Sequence, residues 1–336
     1  VEEFRAVADR QRRAPFDLDR GPLVRVHAAK VDDGGRASAS VLIGLPHICI
    51  DAGSFDLFWD QVAEAYVGRT VTAPAVSYAS HAEWQRREVH PQHAAFWSAE
   101  RAAADAAPVP HGLALPAPVP AEEDGYLHKA LDITTSRLRG GPGRTPFVTA
   151  LTCASATLAR FSGGAHVELG ITASVKDHPA AAPLVGYYLN TLPMRIDAPA
   201  TATFAELAST VGDLVADAVE HRAYPFASIV RDARAAGVRP PDVSAMLAYE
   251  RLAAARLDDE EVTHEILASG TSVADVTLFV QERGEQLSVG IEYAGSVVSA
   301  DDAQRLLDAF ASSLEAAVAD ADTPLGALVA VDEGGD

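Results

Sequence analysis

The hydrophobic residues of this chain change period several times, and that switching limits the folds open to it. Val41, Ile43 and Leu45 alternate as in a half-buried strand, and Phe55, Phe58, Val62 and Tyr66 then recur at helical spacing. Further on, Phe147, Leu151, Ala154, Leu158 and Phe161 mark one helix face, as do Phe204, Leu207, Val211 and Leu214. Val276, Leu278 and Val280 alternate again, then Leu287, Val289 and Ile291, before Leu306, Leu307, Phe310, Leu314 and Val318 form a last amphipathic helix. Strand patterns are also expected near 126–133, 166–173 and 187–196. The order lacks a regular βαβ alternation, so the expected class is α+β.

Local signals place the ends of these elements. Asp32-Asp33-Gly34-Gly35 predicts the turn of a hairpin whose first strand holds Leu23, Val24 and Val26, and Glu282-Arg283-Gly284-Glu285 predicts a second hairpin. Thr145-Pro146 reads as a cap followed by an N1 proline. Thr203 and Glu206 form a capping box, and Ser54 is placed to cap the helix that opens at Phe55. Residues 1–13 read as the end of a helix. A helix is expected from Tyr78 to Ala103, broken near Pro91. Residues 104–124 hold Pro108, Pro110, Pro116, Pro118 and Pro120 and end in Glu122-Glu123-Asp124, which predicts an extended connector. The expected division is a first lobe over 1–103, the connector over 104–124 and a second lobe over 125–336.

At 336 residues the chain is long enough for two lobes. Its net charge of -20 repels phosphate backbones and anionic bilayers, which argues against nucleic-acid and membrane binding. No apolar run approaches the ~18 residues of a bilayer span, and the polar, charged residues 1–13 do not read as a secretory signal. Cys49 and Cys153 are far apart, suggest neither a disulfide framework nor a zinc site, and fit a cytoplasmic protein; no metal site is expected.

The informative stretch is His47-x-x-x-Asp51, at the end of an apolar strand and just ahead of Gly53-Ser54. Strand ends are where a rigid scaffold presents reactive groups, and histidine is suited to moving a proton near neutral pH. Asp51 would either orient the ring or serve a structural ion pair. The spacing alone leaves a catalytic histidine and a satisfied buried one both open.

Wider context bears on that choice. Phe16-Asp17-Leu18, Gly21-Pro22-Leu23-Val24-Arg25, Leu45 to Ser54 and Ala63-Glu64-Ala65-Tyr66 together resemble the condensation domains of nonribosomal peptide synthetases, whose signature is HHxxxDG. The resemblance continues through Tyr78 to Trp97, with Trp84 and Trp97 at tryptophan positions of the family, then Thr145-Pro146-Phe147, Gly186 to Arg195, His221-x-x-x-Pro225-Phe226 and Val273 to Thr277. It implies a chloramphenicol-acetyltransferase-like two-lobe condensation fold. It also implies amide formation between a donor acyl or peptidyl thioester and the amine of an aminoacyl thioester. Each substrate would arrive on a phosphopantetheine arm of a donor or acceptor peptidyl carrier protein, beside neighbouring synthetase domains, with no cofactor held by the domain itself. His47 matches the catalytic histidine. Asp51 matches the structural aspartate, paired in the family with the arginine matched by Arg195. Pro46, Ala52, Gly53, Ser54 and Asn190 fall at positions of tunnel lining or active-site support.

Three departures accompany the resemblance. Pro46 stands where the family has the first histidine, and Ala52 where it has glycine, with Gly53 one residue later supplying the turn. The family also carries a further strand and helices ahead of this point, so the first lobe is expected to be incomplete. These departures keep two alternatives open: a catalytically degenerate platform that binds carrier protein or recruits a tailoring enzyme, and a free-standing acyltransferase of the same superfamily. Among other residues, Cys49 reads as core, Tyr187 and Tyr188 as core and tunnel wall, and His221 as packing at a helix end. His90, His93, His111, His128, His178 and His264 read as surface or loop. Arg10, Arg12 and Arg13 read as a solvated helix face or as a docking patch for an acidic carrier.

Overall fold

The computed structural model describes all residues except 1, 34–35, 89–90, 108–112, 114, 116–121, 140–143, 253–254, 258–259, 263–266, 268 and 330–336. In chain order the elements are α1 (Glu2–Arg13), β1 (Arg25–Asp33), β2 (Arg36–Gly44), α2 (Phe55–Tyr66), α3 (Tyr78–Arg87), α4 (Pro91–Ala106), β3 (Gly125–Thr134), α5 (Thr135–Leu138), α6 (Pro146–Phe161), β4 (His166–Ser174) and β5 (Leu189–Asp197). They continue with α7 (Phe204–Glu220), α8 (Phe226–Ala235), β6 (Ala245–Arg251), β7 (Ala255–Leu257), β8 (Glu260–Val262), β9 (Val276–Arg283), β10 (Gln286–Tyr293), α9 (Ala300–Ala319) and α10 (Leu325–Leu328). This is the α+β mixture that the periodicity predicts.

The chain forms two compact units. One comprises Val1–Gln85, Lys176–Tyr188 and Ala254–Gly270; the other comprises Arg86–Val175, Leu189–Ala253 and Thr271–Asp336. The division therefore falls near residue 85, not in the expected 104–124 connector. The cause is α4, whose Trp97, Arg101 and Ala104 are buried and whose Arg101 pairs with Glu168 of β4. The acidic end of the connector is also secured, because Asp124 accepts hydrogen bonds from the backbone N–H groups of Ser272 and Gly295.

The first unit holds the antiparallel β1–β2 hairpin, in the register Arg25↔Gly44 through Asp33↔Arg36. Leu23 and Val24 precede the strand to which their pattern assigned them. Val26 and Val41 are exposed on this two-stranded sheet, as is Val24 just ahead of it. Arg25 lies over the Phe16 ring at 3.9 Å and donates to the carbonyls of Ala14 and Pro15, which ties the segment after α1 to the hairpin. A small core of Ala181, Leu184 and Tyr188 packs with Val76.

The second unit is built on a six-stranded sheet in the order β3-β10-β9-β6-β4-β5. β6 runs parallel to β4 and β9, and the other neighbours are antiparallel. The expected hairpin is β9–β10, turned at Gly284 with φ 60. α6 is buried all round, against α7 and α9. Its hydroxyls are satisfied locally: Thr152 donates to the Val148 carbonyl and Ser155 to that of Leu151. Thr145 accepts from Val148 N–H ahead of Pro146, and Thr203 and Glu206 make both bonds of the capping box. Cys153 is buried, and burial pushes its thiol up to about 12, so it stays protonated.

Arg101 and Glu168 meet at 2.5 Å with almost no solvent exposure, and Arg239 stands 3.6 Å from the same carboxylate. Removing one partner of a buried pair strands the other charge, which costs about 3–5 kcal/mol. By contrast, Lys129 and Asp308 pair in the open, and such pairs contribute about 1 kcal/mol or less. In urea denaturation we expect Arg101→Met to lose several kcal/mol and Lys129→Ala less than about 1 kcal/mol; equal losses would show that the buried pair is no stronger a constraint than the exposed one.

Candidate active site

β2 ends at Gly44, and the backbone then makes two single turns before α2. Pro46 is extended at φ -67 and ψ 140, and its carbonyl accepts from Cys49 N–H to open the turn His47–Cys49. Ile50 returns to the extended region, and a second turn runs over Ala52–Ser54. The first turn brings the Ile50 carbonyl to 2.7 Å from His47 Nδ1. A carbonyl oxygen only accepts, so Nδ1 carries the hydrogen, and the lone pair of the neutral ring sits on Nε2. The ring is exposed, and its edge contact is with Tyr187, at 5.2 Å between centroids and 82° between planes. A neutral imidazole in this tautomer can accept a proton at Nε2.

Asp51 is buried. Its Oδ2 accepts from Tyr188 N–H at 2.7 Å, while Oδ1 is buried without a hydrogen bond. The same stretch is joined to Gly186, whose carbonyl accepts from Asp51 N–H and from Ser54 Oγ. Ser54 also accepts from Gly186 N–H. Its hydroxyl therefore does not cap α2 as expected: it stands at the N-cap position in the helical region, with no cap hydrogen bond. Tyr78 donates to the Tyr187 carbonyl at 2.6 Å. Lys176 donates to the Leu184 carbonyl and lies 5.0 Å over the Tyr188 ring.

Burial shifts the titratable groups around Asp51 toward their neutral forms. Burial, followed by the Tyr78 and Asp51 charges, pushes the Tyr188 hydroxyl up to about 12, and burial raises Tyr78 and Tyr187 as well. Burial pulls Lys176 below the usual lysine range, against the attraction of Asp51. Burial also lowers His81, helped by His178 and Lys176 and opposed by Asp177. His81 packs on Trp84 and Tyr188, and its Nε2 is buried without a hydrogen bond.

The residues at the departures follow ordinary backbone paths. Gly53 is not left-handed, and a methyl there would meet Asp51 Oδ1 at 3.6 Å, an ordinary contact. The turn therefore does not depend on Gly53, contrary to expectation. Cys49 is half-buried in the first turn, not core. Of the scattered histidines, His178 caps the short turn Pro179–Ala181 and packs on Trp84. His90, His111 and His264 lie outside the described residues.

In the second unit, Asn190 is the second residue of β5. Its Nδ2 donates to the Arg222 and Tyr224 carbonyls at 2.8 and 2.7 Å, and its Oδ1 accepts from Phe226 N–H at 3.0 Å. The amide thus clamps the turn between α7 and α8. His221 begins that turn, stacks on Phe96 at 4.0 Å and pairs with His93 Nδ1 at 2.7 Å, and its carbonyl accepts from Trp97 Nε1. Arg195 donates to the Ala103 carbonyl and lies 3.9 Å from Asp197. The partner expected for Arg195 was Asp51. The two belong to different units; within its own unit Asp51 accepts from Tyr188 N–H, and within its own Arg195 donates to the Ala103 carbonyl, so the expected pairing stays an expectation. Sequence reasoning assigned no role to Tyr78, His81 or Lys176: the first two lie within the stretch from Tyr78 to Trp97 that carries the resemblance, and Lys176 lies outside every motif of that resemblance. Among the described residues no three His, Cys, Asp or Glu side chains gather as a metal site, and no helix is long and apolar enough to cross a membrane.

His81 generates a pH prediction. The unfolded chain takes up its proton near the ordinary 6.5, whereas the folded chain resists until lower pH. The unfolded state then binds more protons, so stability falls as pH drops below about 6.5. His81→Phe should show a smaller drop in Tm between about pH 7.5 and pH 5.5 than the parent. An equal drop in both would place the pH sensitivity elsewhere.

The family model described as Condensation domain matches residues 2–336. One component of the linear gramicidin synthase of Brevibacillus parabrevis is 28% identical over 94% of this chain, and tyrocidine synthase 2 of the same organism is 27% identical over 93%. The chain spans only 6% and 9% of the lengths of those relatives. A solved complex of the X-domain and OxyB from teicoplanin biosynthesis shares the fold with a TM-score of 0.76, at 20% identity, over 99% of this chain and 78% of that one. With nearly its whole length matched, the chain belongs to the condensation domain family.

Proposed function

We propose that this chain forms an amide bond between two carrier-bound substrates, a donor acyl or peptidyl thioester and the amine of an aminoacyl thioester. The observation that carries the reading is the bond from His47 Nδ1–H to the Ile50 carbonyl, which leaves Nε2 of an exposed imidazole as a proton acceptor. As the amine nitrogen attacks the thioester carbonyl carbon, the C–N bond forms and one N–H proton passes to Nε2. The tetrahedral intermediate then expels the thiolate, the C–S bond breaks, and His47 returns the proton to sulfur. A thioester is already activated, so holding the two substrates in place supplies much of the rate. Asp51 acts through the backbone it holds, not on the reacting atoms. Phosphopantetheine enters as part of each substrate, delivered by donor and acceptor carrier proteins. The far greater length of the curated relatives supports a place among neighbouring synthetase domains.

A second reading is a platform that binds carrier protein or recruits another enzyme. Pro46 and Ala52, which replace two motif residues, favour it. The solved X-domain, seen in complex with OxyB, is a precedent in this fold.

Carrier-to-carrier transfer separates the two readings. With acyl-loaded donor and aminoacyl-loaded acceptor carriers, mass spectrometry should detect amide product, and His47→Ala should reduce its rate about 10²–10⁴-fold at unchanged Tm. Absence of product from several substrate pairs, with both carriers still bound by a folded chain, would overturn the catalytic reading and leave the platform.

A further inference from the structure

We propose that Tyr187 is a positioning residue for His47, and that Ser54, Asp51 and Tyr78 serve the site by clamping the segment that carries it. The inference rests on the reading of His47 as the proton acceptor. One hydrogen bond from Nδ1 fixes one atom of the imidazole and leaves the ring free to rock about it. The edge of a second ring supplies the missing restraint, because aromatic pairs favour edge-to-face geometry within 4.5–7 Å. Tyr187 stands in that range from His47, at 5.2 Å and 82°.

Tyr187 is a third exposed, so core packing does not by itself hold its ring. Its backbone is held on both sides instead. Gly186 takes two hydrogen bonds at its carbonyl, from Asp51 N–H at 3.1 Å and Ser54 Oγ at 3.0 Å, and gives one to Ser54 Oγ at 3.3 Å. The Tyr187 carbonyl accepts from the Tyr78 hydroxyl at 2.6 Å, and Tyr188 N–H donates to Asp51 at 2.7 Å. The clamp leaves no room for a side chain at residue 186, where any Cβ would run into the Tyr78 and Tyr188 rings. Ser54 and Asp51 belong to the same eight-residue stretch as His47. The stretch that carries the imidazole therefore also holds the segment that carries the ring beside it.

The test uses the whole chain with histidine-selective isotope labelling, together with the transfer assay. The His47 ring signals, identified by their loss in His47→Ala, should move in Tyr187→Ala and stay near the parent position in Tyr187→Phe, which keeps the ring. In the assay Tyr187→Ala should lower kcat about tenfold to a hundredfold with KM within about threefold, and Tyr187→Phe should stay within about threefold. Ser54→Ala removes the side-chain bonds to Gly186 and no bond to His47, yet should shift the same signals and lower kcat by an intermediate factor. His47 signals unmoved in Tyr187→Ala would overturn the proposal, whatever the activity. So would a rise in KM at constant kcat, which would make Tyr187 a substrate contact instead. Because the spectra need no turnover, a chain that makes no amide would sink the proposed function and still decide this one.

Discussion

The hydrogen bond from Tyr188 N–H to the Asp51 carboxylate is the constraint on which the rest of the site depends. A carboxylate taken out of water must be compensated by nearby donors or charges. Asp51 finds its donor 137 residues along the chain. Once that N–H is taken, Tyr188 is outside the sheet, and β5 begins at Leu189 instead of the expected residue 187. The segment ahead of β5 becomes a strap across the motif turn. The chain passes from one unit to the other between Tyr188 and Leu189, so the strap directly precedes β5.

Burial and exposure are divided sharply within this small region. Asp51, Ser54, His81 and Tyr188 are buried, and burial pushes tyrosines, lysine and histidine there toward their neutral forms. His47 alone of the motif pair is exposed. Hydrogen bonds in a poorly solvated setting are stronger than the same bonds in water, so the support is stiff where the reactive group is open. This arrangement suits a group that must meet two incoming substrates while keeping one orientation.

What could be read from the sequence was what is decided locally. The Thr145-Pro146 start, the Thr203–Glu206 capping box and the turn at Gly284 each depend on residues within a few positions of one another, and each stands as expected. The position of His47 at a strand end was legible for the same reason. Ser54 shows the limit. Its local signal was a helix cap, but its hydroxyl found Gly186, 132 residues away, and the longer-range bond won. The membership of α4 was hidden likewise, because it is set by Arg101 meeting Glu168 and by Trp97 reaching the His221 carbonyl. Pattern reading saw the five prolines of the connector and placed the division there, but proline content reports extension and not the packing on either side.

The two substitutions in the motif bear on chemistry more than on architecture. Proline holds φ near -65°, and the turn entry at residue 46 has φ -67, so Pro46 is already shaped for the turn that carries the Ile50 carbonyl to His47. The missing N–H at that position does not interrupt the turn, which uses the Pro46 carbonyl. Ala52 opens the second turn, and no left-handed residue follows it there. The backbone that orients His47 is thus complete without the family's first histidine and glycine. Pro46 brings no second imidazole beside His47, so in the proposed function the amine proton is assigned to His47.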